Sequence, residues 1–453
     1  MKMKRRDFLR RYASTAAAGI GAYSTLGGLN LVNALAQDND YKALVCIFLF
    51  GGNDSFNMFV PTEQNAYDAY AEARRNLAVP RNSLLPVDAV ASDGLRYGFH
   101  PSMPDVRDLF QQGKATVVSN VGPLLVPTSR DDFMANRVPL PPRLFSHNDQ
   151  QDFWQSLELD KLQSTGWAGR MADLLGGLNA NRELSMNISM AGSNLMQTGA
   201  VTIPYILSPA GVVAPKSQTL VNENNRARNR TDTLDLLLQR DSGHILANYY
   251  RDTLRRATSL SGQIADVLAG SPPIQVGFPQ NPLADSLQMV ARMINVRQSL
   301  GLSRQVFFIG YGGWDTHGNQ NSRHPALLRN LSESLAAFYR ATNALGLSDK
   351  VTTFTAGDFG RTLTSNGDGS DHGWGGHQLV VGGGVRGFQV VGELPEIRID
   401  GPSDSGHGRI IPTLAVDQYC ATLARWFGLQ NSQIDDVFPN ISQFPERDLG
   451  FMA

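Results

Sequence analysis

Acidic and imidazole side chains recur in this sequence directly after short apolar runs that end in glycine. Asp315 and His317 follow the run VFFIGYGG. Because they are two residues apart, an extended segment would point both to the same side, where they can reach one ion. Asp371 and His372 are adjacent, so an extended chain would direct them to opposite sides, as a pair of neighbouring ions would require. The spacing predicts a metal site.

Other apolar runs end in the same way, and their ends supply further candidate ligands. These are Asp54 after YKALVCIFLFGG, Asp358 with Arg361 after VTTFTAG, and His377 after the glycine-rich turn HGWGG. Ligand sites in open α/β sheets gather beyond the carboxyl ends of the strands. Four of the eight histidines also fall between residues 317 and 377, which favours a site over scattered surface use. Carboxylate and imidazole ligands without thiolate fit zinc, manganese or iron better than calcium.

Each candidate also has an ordinary structural interpretation. Asp315 could cap the helix that follows it, Asp54 could form an Asx turn, and a glycine-rich segment with histidine could be only a tight turn. Taken together, several candidate ligands after successive strands favour a functional site over a set of unrelated turns.

The overall composition excludes some partners. The 453 residues carry 40 basic and 41 acidic side chains, so the net charge gives no field that would attract nucleic acid or anionic lipid. A small, near-neutral or weakly polar partner is the default expectation. Cys46 and Cys420 lie in apolar runs, which predicts buried free thiols and no cysteine metal site. After residue 36 no uncharged apolar run reaches 18 residues, so we expect no membrane span in the mature protein.

The first 36 residues have the pattern of an export signal. KRRDFLRR contains Arg5, Arg6, Phe8 and Leu9 in the twin-arginine arrangement, and a mild apolar run leads to Ala-Leu-Ala at 34–36. We therefore predict a signal peptide over 1–36, export by the twin-arginine machinery to the periplasm or beyond, and a mature domain over 37–453. A basic amphipathic start of a cytosolic protein is the alternative interpretation.

The apolar runs alternate with helical patterns. Runs such as YKALVCIFLF and RQVFFIGYGG are typical of strands buried on both faces, and HPALLRNLSESLAAFYRATNALG is helical with Gly346 as its stop. This order predicts an α/β fold, a three-layer sandwich around a mostly parallel central sheet. The charged, helical stretch over 218–300 predicts a helical insertion or cap, or equally two ordinary crossover helices.

The ordered set Asp54, Asp315, His317, Asp371, His372 and His377 resembles the metal ligands of the alkaline phosphatase and sulfatase superfamily. Within it the chain is more similar to the exported family called domain of unknown function 1501, over nearly all of the mature chain. The most specific segments are GGWDTHGNQ and DFGRTLTSNGDGSDHGWGGH. The resemblance implies an alkaline phosphatase-like sheet, two metal ions, zinc or manganese, and in-line attack on a phosphate or sulfate ester by a Ser, Thr or Cys at a helix N-terminus.

The sequence departs from that pattern in places. The superfamily's usual pair is more widely spaced than Asp315 and His317, which leaves open which residue meets which ion. Asp358 stands where the closer family more often has glutamate, as a ligand or a supporting acid. His407 has no counterpart in a family motif, and we expect it on a surface loop.

Ser146 in PRLFSHNDQQDFW is the candidate nucleophile, because it opens a helical pattern where a helix N-terminus would stabilise an oxyanion. The same residue is also an obvious N-cap, with Asp149 three positions later. Ser55 is the rival nucleophile, and His147 could be a ligand or an acid. Arg361 could bind an anionic substrate oxygen, or form a surface salt bridge.

The sequence is compatible with two functions of different classes. The first is an exported metal-dependent hydrolase that acts on a small anionic phosphate or sulfate ester. The second is a cell-envelope binding or assembly protein on the same fold, with no catalytic turnover. The role of Ser146 discriminates between them, because an enzyme of this type needs a nucleophile and a binding protein needs only the helix cap.

Overall fold

The computed structural model describes residues 41–158, 164–212 and 243–453, together with Thr233, Leu236, Leu238 and Gln239. The predicted signal peptide over 1–36 and most of residues 218–242 lie outside the described residues. Among the helices that are described, none is long and apolar enough to cross a membrane.

The described strands form one large sheet and two small ones. They are β1 (Lys42–Leu49), β2 (Phe59–Pro61), β3 (Leu85–Val90), β4 (Arg96–Phe99), β5 (Ala115–Gly122), β6 (Asn187–Ser189), β7 (Tyr205–Ser208), β8 (Gly211–Val212), β9 (Arg304–Tyr311), β10 (Val351–Gly357), β11 (Arg361–Ser365), β12 (Ser370–His372), β13 (Gly376–Val381), β14 (Val390–Val391) and β15 (Leu414–Ala415).

Helices connect most of these strands. They are α1 (Ser55–Met58), α2 (Gln64–Arg74), α3 (Pro104–Gln111), α4 (Arg130–Met134), α5 (His147–Ser156), α6 (Trp167–Leu175), α7 (Ile245–Gly270), α8 (Pro282–Asn295), α9 (Gln320–Ala344), α10 (Val416–Phe427) and α11 (Ile434–Val437). Short 3-10 turns cover Arg75–Leu77, Arg81–Ser83, Gly176–Leu178, Asn431–Gln433 and Ile441–Gln443.

The large sheet is mostly parallel. Its order is β14-β5-β13-β10-β1-β9-β6-β7-β8, with β15 also paired to β5. The central strands β10, β1, β9 and β6 run parallel, whereas β13 runs antiparallel to both of its neighbours. The apolar runs YKALVCIFLF, RQVFFIGYGG and VTTFTAG form β1, β9 and β10 of this sheet, and the predicted α/β class is confirmed.

Helices cover both faces of the sheet, as β1 shows. Alternate side chains from Ala43 to Leu49 join a core that contains the apolar sides of α3, α8 and α9. The side chains between them, from Leu44 to Phe48, join a second core with α5, α6 and α10. This alternation follows from the period of two along a strand. The predicted three-layer sandwich is therefore confirmed, and the continuous apolar run is explained by burial on both faces.

The described part of the predicted insertion is helical. Helix α8 packs against α9 and β9, and apolar residues of α7 such as Ile264 join the same core. The division of the chain into a domain and an insertion remains a prediction. Cys46 and Cys420 are buried free thiols in the second core, as predicted.

Candidate metal centre

The candidate site lies where β10, β1 and β9 end, because these neighbouring parallel strands bring their carboxyl ends to one edge. Gly51, just after β1, adopts φ 111° and donates its N–H to Asp358 Oδ2 at 3.1 Å. A Cβ at this position would lie 2.3 Å from the backbone nitrogen of Asp315. Glycine is therefore required here, because any side chain would push the loops after β1 and β9 apart.

Two further segments complete the edge. The antiparallel pair β11 and β12 places Arg361 opposite His372, so the hairpin returns His372 towards the loop after β9. Helix α5 begins at His147, directly after its N-cap Ser146. Strand ends, hairpin and helix start thus converge from parts of the chain that are far apart in sequence.

Four side chains form what we call the histidine–aspartate cluster: His147, Asp315, His317 and His372. One ligand atom each from His147, Asp315 and His372 lie within 4.8 Å of one another. The Asp315 carboxylate is 3.6 Å from His147 Nε2 and 3.4 Å from His372 Nε2. His317 Nε2 adds a contact of 3.1 Å to Asp315 and one of 2.9 Å to His372 Nε2.

The other ring nitrogen of each histidine is held by an acceptor. His147 Nδ1 lies 2.6 Å from Asp358 Oδ2, and His317 Nδ1 lies 2.9 Å from Asp371 Oδ1. His372 Nδ1 lies 2.7 Å from the carbonyl oxygen of Phe145. Carboxylate and carbonyl oxygens accept, so each Nδ1 carries a proton, and in a neutral ring Nε2 then keeps its lone pair. These lone pairs face Asp315. A metal-binding histidine typically has this arrangement, with its second nitrogen oriented by an acceptor.

The electrostatics of the cluster fit a cation. Burial acts to raise the pKa of Asp315, but the hydrogen bond and charge of Arg361 outweigh it and hold that pKa below its usual value. The hydrogen bond to Asp358 raises the pKa of His147. Burial lowers the pKa of His372. An ionised Asp315 and the imidazole Nε2 atoms around it form a donor set suited to zinc or manganese, so the residues fit a divalent metal.

Arg361 lies beneath the cluster with a fully buried side chain. Its guanidinium donates to Asp315 Oδ1 at 2.7 Å, to the Gly51 carbonyl at 3.1 Å, and to the carbonyl of Ser370. These hydrogen bonds of the Arg361 guanidinium are made to other groups of the protein, and not to a position that a substrate would occupy. In this structure the predicted substrate-binding arginine holds together the loop after β1, the β12 strand and Asp315.

Asp358 and Asp371 each accept a hydrogen bond from the Nδ1 atom of a cluster histidine, on the side of the ring away from Asp315. Asp358 is fully buried, and the same oxygen that meets His147 also accepts from Gln151 Nε2 at 2.9 Å. Asp371 accepts from His317 and, at 3.1 Å, from Asn366. Both predicted ligands thus contact a histidine of the cluster, whose orientation they fix.

The structure does not bring Asp54 and His377 into the cluster. Asp54 is fully buried and bonded to Arg74 and Gln320. His377 packs edge-on against Phe56, with ring centroids 5.0 Å apart. Its Nδ1 accepts from the Asn120 N–H at 3.1 Å, and burial lowers its pKa to about 3. The described residues thus assemble ligands for one ion, and a second ion remains a prediction.

The serine candidates occupy different environments. Ser146 is the N-cap of α5, and its hydroxyl donates to Asp149 Oδ2 at 2.7 Å. In sequence, Ser146 stands between Phe145 and His147. The carbonyl of Phe145 accepts from His372. Ser55 is buried, and its oxygen accepts from the His377 N–H at 2.7 Å. His407 is exposed, in keeping with the expected surface loop.

Phe145 is a part of the site that no sequence signal identified. It adopts φ 73°, which is unusual for a bulky residue, and its ring lies 4.3 Å from the guanidinium of Arg409. Its carbonyl fixes the proton of His372 on Nδ1. Backbone strain of this kind tends to occur at functional sites. Every residue has a backbone carbonyl, so the sequence could not indicate this contact, which depends on the conformation of the backbone.

A family model described as "Protein of unknown function (DUF1501)" matches residues 41–437. The chain belongs to the DUF1501 family. The family resemblance expected from the sequence is therefore confirmed. Comparison with curated proteins gave no match.

Among solved structures, the DUF1501 chain is similar to two sulfatases. One is a 2-O GAG sulfatase, with 9% identity and a TM-score of 0.30 over 86% of this chain and 71% of that one. The other is the sulfatase PsFucS1 of Pseudoalteromonas sp., with 12% identity and a TM-score of 0.29 over 93% and 72% of the two chains. These scores are too low to establish a shared fold, so the fold assignment rests on the sheet itself.

Proposed function

We propose that this DUF1501 protein is an exported, metal-dependent hydrolase of phosphate or sulfate esters. The observation that carries the proposal is the convergence of three imidazole Nε2 atoms on Asp315, with every Nδ1 held by an acceptor. The proposed substrate class comes from the superfamily resemblance of the sequence.

The contact between His317 and His372 is the strongest support for a cation. Their Nε2 atoms are 2.9 Å apart, and in neutral rings both carry lone pairs, because the single proton of each ring is on Nδ1, which has an acceptor partner. Two lone pairs facing each other at this distance repel unless a proton or a cation lies between them. The nearby Asp315 carboxylate favours a cation further. Zinc and manganese accept such a mixed donor set.

A divalent cation here would supply Lewis-acid polarisation of an ester oxygen and would make a neighbouring water more acidic. The chain's own residues orient the donors. Asp358 and Phe145 fix the rings of His147 and His372, and Arg361 compensates the charge of Asp315. The cluster is also open to solvent, since Asp315 is 42% and His317 44% exposed, so an ester could approach it.

Ser146 is our candidate nucleophile. Its hydroxyl already donates to the Asp149 carboxylate, which is buried and could receive the proton as the serine oxygen attacks an ester. Its chain neighbour His147 belongs to the cluster, and the carbonyl of its other neighbour, Phe145, contacts His372. Attack would form the bond from Ser146 Oγ to phosphorus or sulfur as the bond to the leaving alcohol breaks.

The proposed location rests on the twin-arginine pattern in residues 1–36. This route exports chains that have already folded, so an ion could be taken up before export. The cluster needs segments from residue 145 to residue 372, which is consistent with a site that forms only in the folded chain.

A non-catalytic binding protein is the second candidate, and the serines favour it. The Ser146 hydroxyl is engaged by Asp149 at the helix start, and Ser55 is buried against the backbone of His377. In this case the cluster would bind an ion for structure or for recognition, with no turnover.

The deciding experiment is elemental analysis of mature protein purified without chelators, followed by assays with p-nitrophenyl phosphate and p-nitrophenyl sulfate. The wild type is compared with Asp371→Ala/His372→Ala, and with His407→Ala as an exposed histidine control. We expect bound zinc or manganese and hydrolysis in the wild type and control, both lost in the double variant. Metal without hydrolysis would favour the binding protein, and no metal in the wild type would refute both assignments of the cluster.

A further inference from the structure

A second cavity, of about 400 Å³, lies apart from the histidine–aspartate cluster. Its walls come from α1, from the chain after α2, from the turn after β4 and from the start of α9. None of the four cluster residues lines it, and no lining residue is Asp, Glu, Lys or Arg. The volume is within the range of small-molecule sites. The polar groups that line it are Asn57, Asn76, His100, Ser102, Gln320, Asn321 and His324.

Two buried histidines give this cavity its chemistry. His100 Nδ1 accepts from the Ser102 N–H at 3.0 Å, so the ring is neutral and its proton is on Nε2. His324 Nε2 lies 2.9 Å from the Asn53 side-chain oxygen, which accepts, so the lone pair of this ring is on Nδ1. Neither remaining nitrogen has a hydrogen-bond partner among the described residues. Burial, the largest cause in each, lowers both pKa values to about 3, so both rings stay neutral.

We propose that this cavity binds a neutral molecule rich in hydroxyl groups, such as a free sugar or a polyol. His100 offers an N–H donor and His324 an acceptor, and their ring centroids are 6.2 Å apart, so one ligand can meet both. A hydroxyl group is both a donor and an acceptor, which matches this pair. Asn76 and Asn321 at the exposed rim have amide groups that suit the same chemistry.

The surroundings select against other ligand classes. A charged ligand would lose its hydration with no opposite charge in the lining to compensate. An apolar ligand would cover the free nitrogens of His100 and His324 without giving them a partner, and would leave both buried polar groups unpaired. A neutral hydroxylated ligand has neither penalty.

The test uses Ser102, whose side chain lines the cavity while only its backbone N–H is bonded to His100. Ser102→Phe should fill the cavity without removing that hydrogen bond, and Ser102→Ala is the matched control. D-glucose and myo-inositol are the neutral probes, and binding is measured by saturation-transfer NMR and calorimetry. We expect Ser102→Phe to weaken binding by at least about tenfold and Ser102→Ala to weaken it clearly less, because the first substitution occupies the site and the second removes only one hydroxyl group.

The cluster variant Asp371→Ala/His372→Ala separates this proposal from the proposed function. Glucose should bind this variant as well as it binds wild type from which any metal has been removed, because no cluster residue lines the cavity. In the same variant, glucose 6-phosphate should bind at least about tenfold more weakly than glucose, because its charge has no partner in the cavity. Tighter binding of the phosphate there would refute the neutral-ligand assignment.

If Ser102→Phe fails to fold, hydrogen exchange on the wild type still tests whether a neutral ligand binds in this cavity. Glucose should slow amide exchange in residues 76–80, 100–102 and 320–325. Failure of both neutral probes to bind the wild type at about 0.1 M, or protection confined to other segments, would overturn the proposal.

Discussion

His317 and His372 face each other through Nε2 atoms 2.9 Å apart, while acceptors hold the Nδ1 atom of each ring. Neither ring can turn its lone pair away without losing a hydrogen bond. A cation shared with Asp315 removes the conflict, so the pair should be more ordered with metal than without it. Histidine ring NMR signals should sharpen and shift on addition of Zn²⁺ to metal-free protein.

Asp358→Asn should weaken metal binding although Asp358 is not expected to touch the ion. The substitution keeps the shape but removes the charge that orients His147 at 2.6 Å. Loss of such an outer carboxylate typically costs about 10–100-fold in metal affinity. Competition with a chelating dye would measure this, and Asp435→Asn at an exposed ion pair should leave the affinity unchanged. Equal affinities for Asp358→Asn and the wild type would contradict the assigned role.

Arg361→Met should destabilise the fold as well as the site. The guanidinium is buried and bonded to two backbone carbonyls and Asp315, and these acceptors would lose their partner. Asp315 is 42% exposed, so solvent screens part of the ionic loss. We expect the free energy of unfolding to fall by about 2–4 kcal/mol in urea denaturation.

The control for Arg361→Met is Arg447→Met, which removes an exposed arginine paired with Asp435. Its cost should stay below about 1 kcal/mol. An unchanged unfolding free energy for Arg361→Met, with weaker substrate binding alone, would instead support the substrate-binding role expected from the sequence.

Gly51→Ala tests the close approach at the sheet edge. The new Cβ would lie 2.3 Å from the Asp315 backbone nitrogen, so the loop after β9 would have to move. Gly94→Ala is the matched control, because Gly94 also has positive φ but no atom within 4 Å of the added Cβ. We expect about 1 kcal/mol of destabilisation from strain at Gly94, and clearly more at Gly51 together with loss of metal. Similar costs at both positions would show that the contact with Asp315 is unimportant.

Asp417 should make stability depend on pH. It is fully buried in the first turn of α10, and burial raises its pKa from 3.8 to about 7. The unfolded chain therefore releases this proton at lower pH than the folded chain does. The contribution of Asp417 to the free energy of unfolding is greatest below pH 3.8 and falls as the pH rises to about 7, by at most about 1.4 kcal/mol per pH unit.

Asp417→Asn should remove this loss, so the variant gains stability relative to the wild type as the pH rises from 4 to about 7. Urea denaturation at a series of pH values would measure the difference. Asp436→Asn, at an exposed position, should follow the wild-type profile. A constant difference between Asp417→Asn and the wild type at all pH values would show that Asp417 titrates normally.

The sequence predicted the sheet well because its signal is local. The run from Ala43 to Leu49 is apolar throughout, which burial on both faces requires, and the structure places it at the centre of the sheet. The loop after β9 was likewise predictable, since a strand that ends in glycine and then in Asp315 and His317 must place them at the sheet edge.

The partners of the site residues were less predictable, because they depend on contacts between distant segments. Asp54 follows β1 just as Asp315 follows β9, yet Arg74 on α2 binds its carboxylate and keeps it outside the cluster. His377 reaches the same end of the sheet, but its ring packs against Phe56. Nothing in the sequence around Arg74 or Phe56 indicates that these residues contact Asp54 and His377.

Gln320 has a consequence for communication between the two sites. Its side chain lines the second cavity, and its Oε1 accepts from the Ser370 hydroxyl at 2.6 Å. The Ser370 carbonyl in turn accepts from Arg361, which donates to Asp315. A ligand that displaced the Gln320 side chain would change the support of Asp315 through only two intervening residues. Occupancy of the cavity and metal affinity should therefore be thermodynamically linked, each altering the other by the same factor.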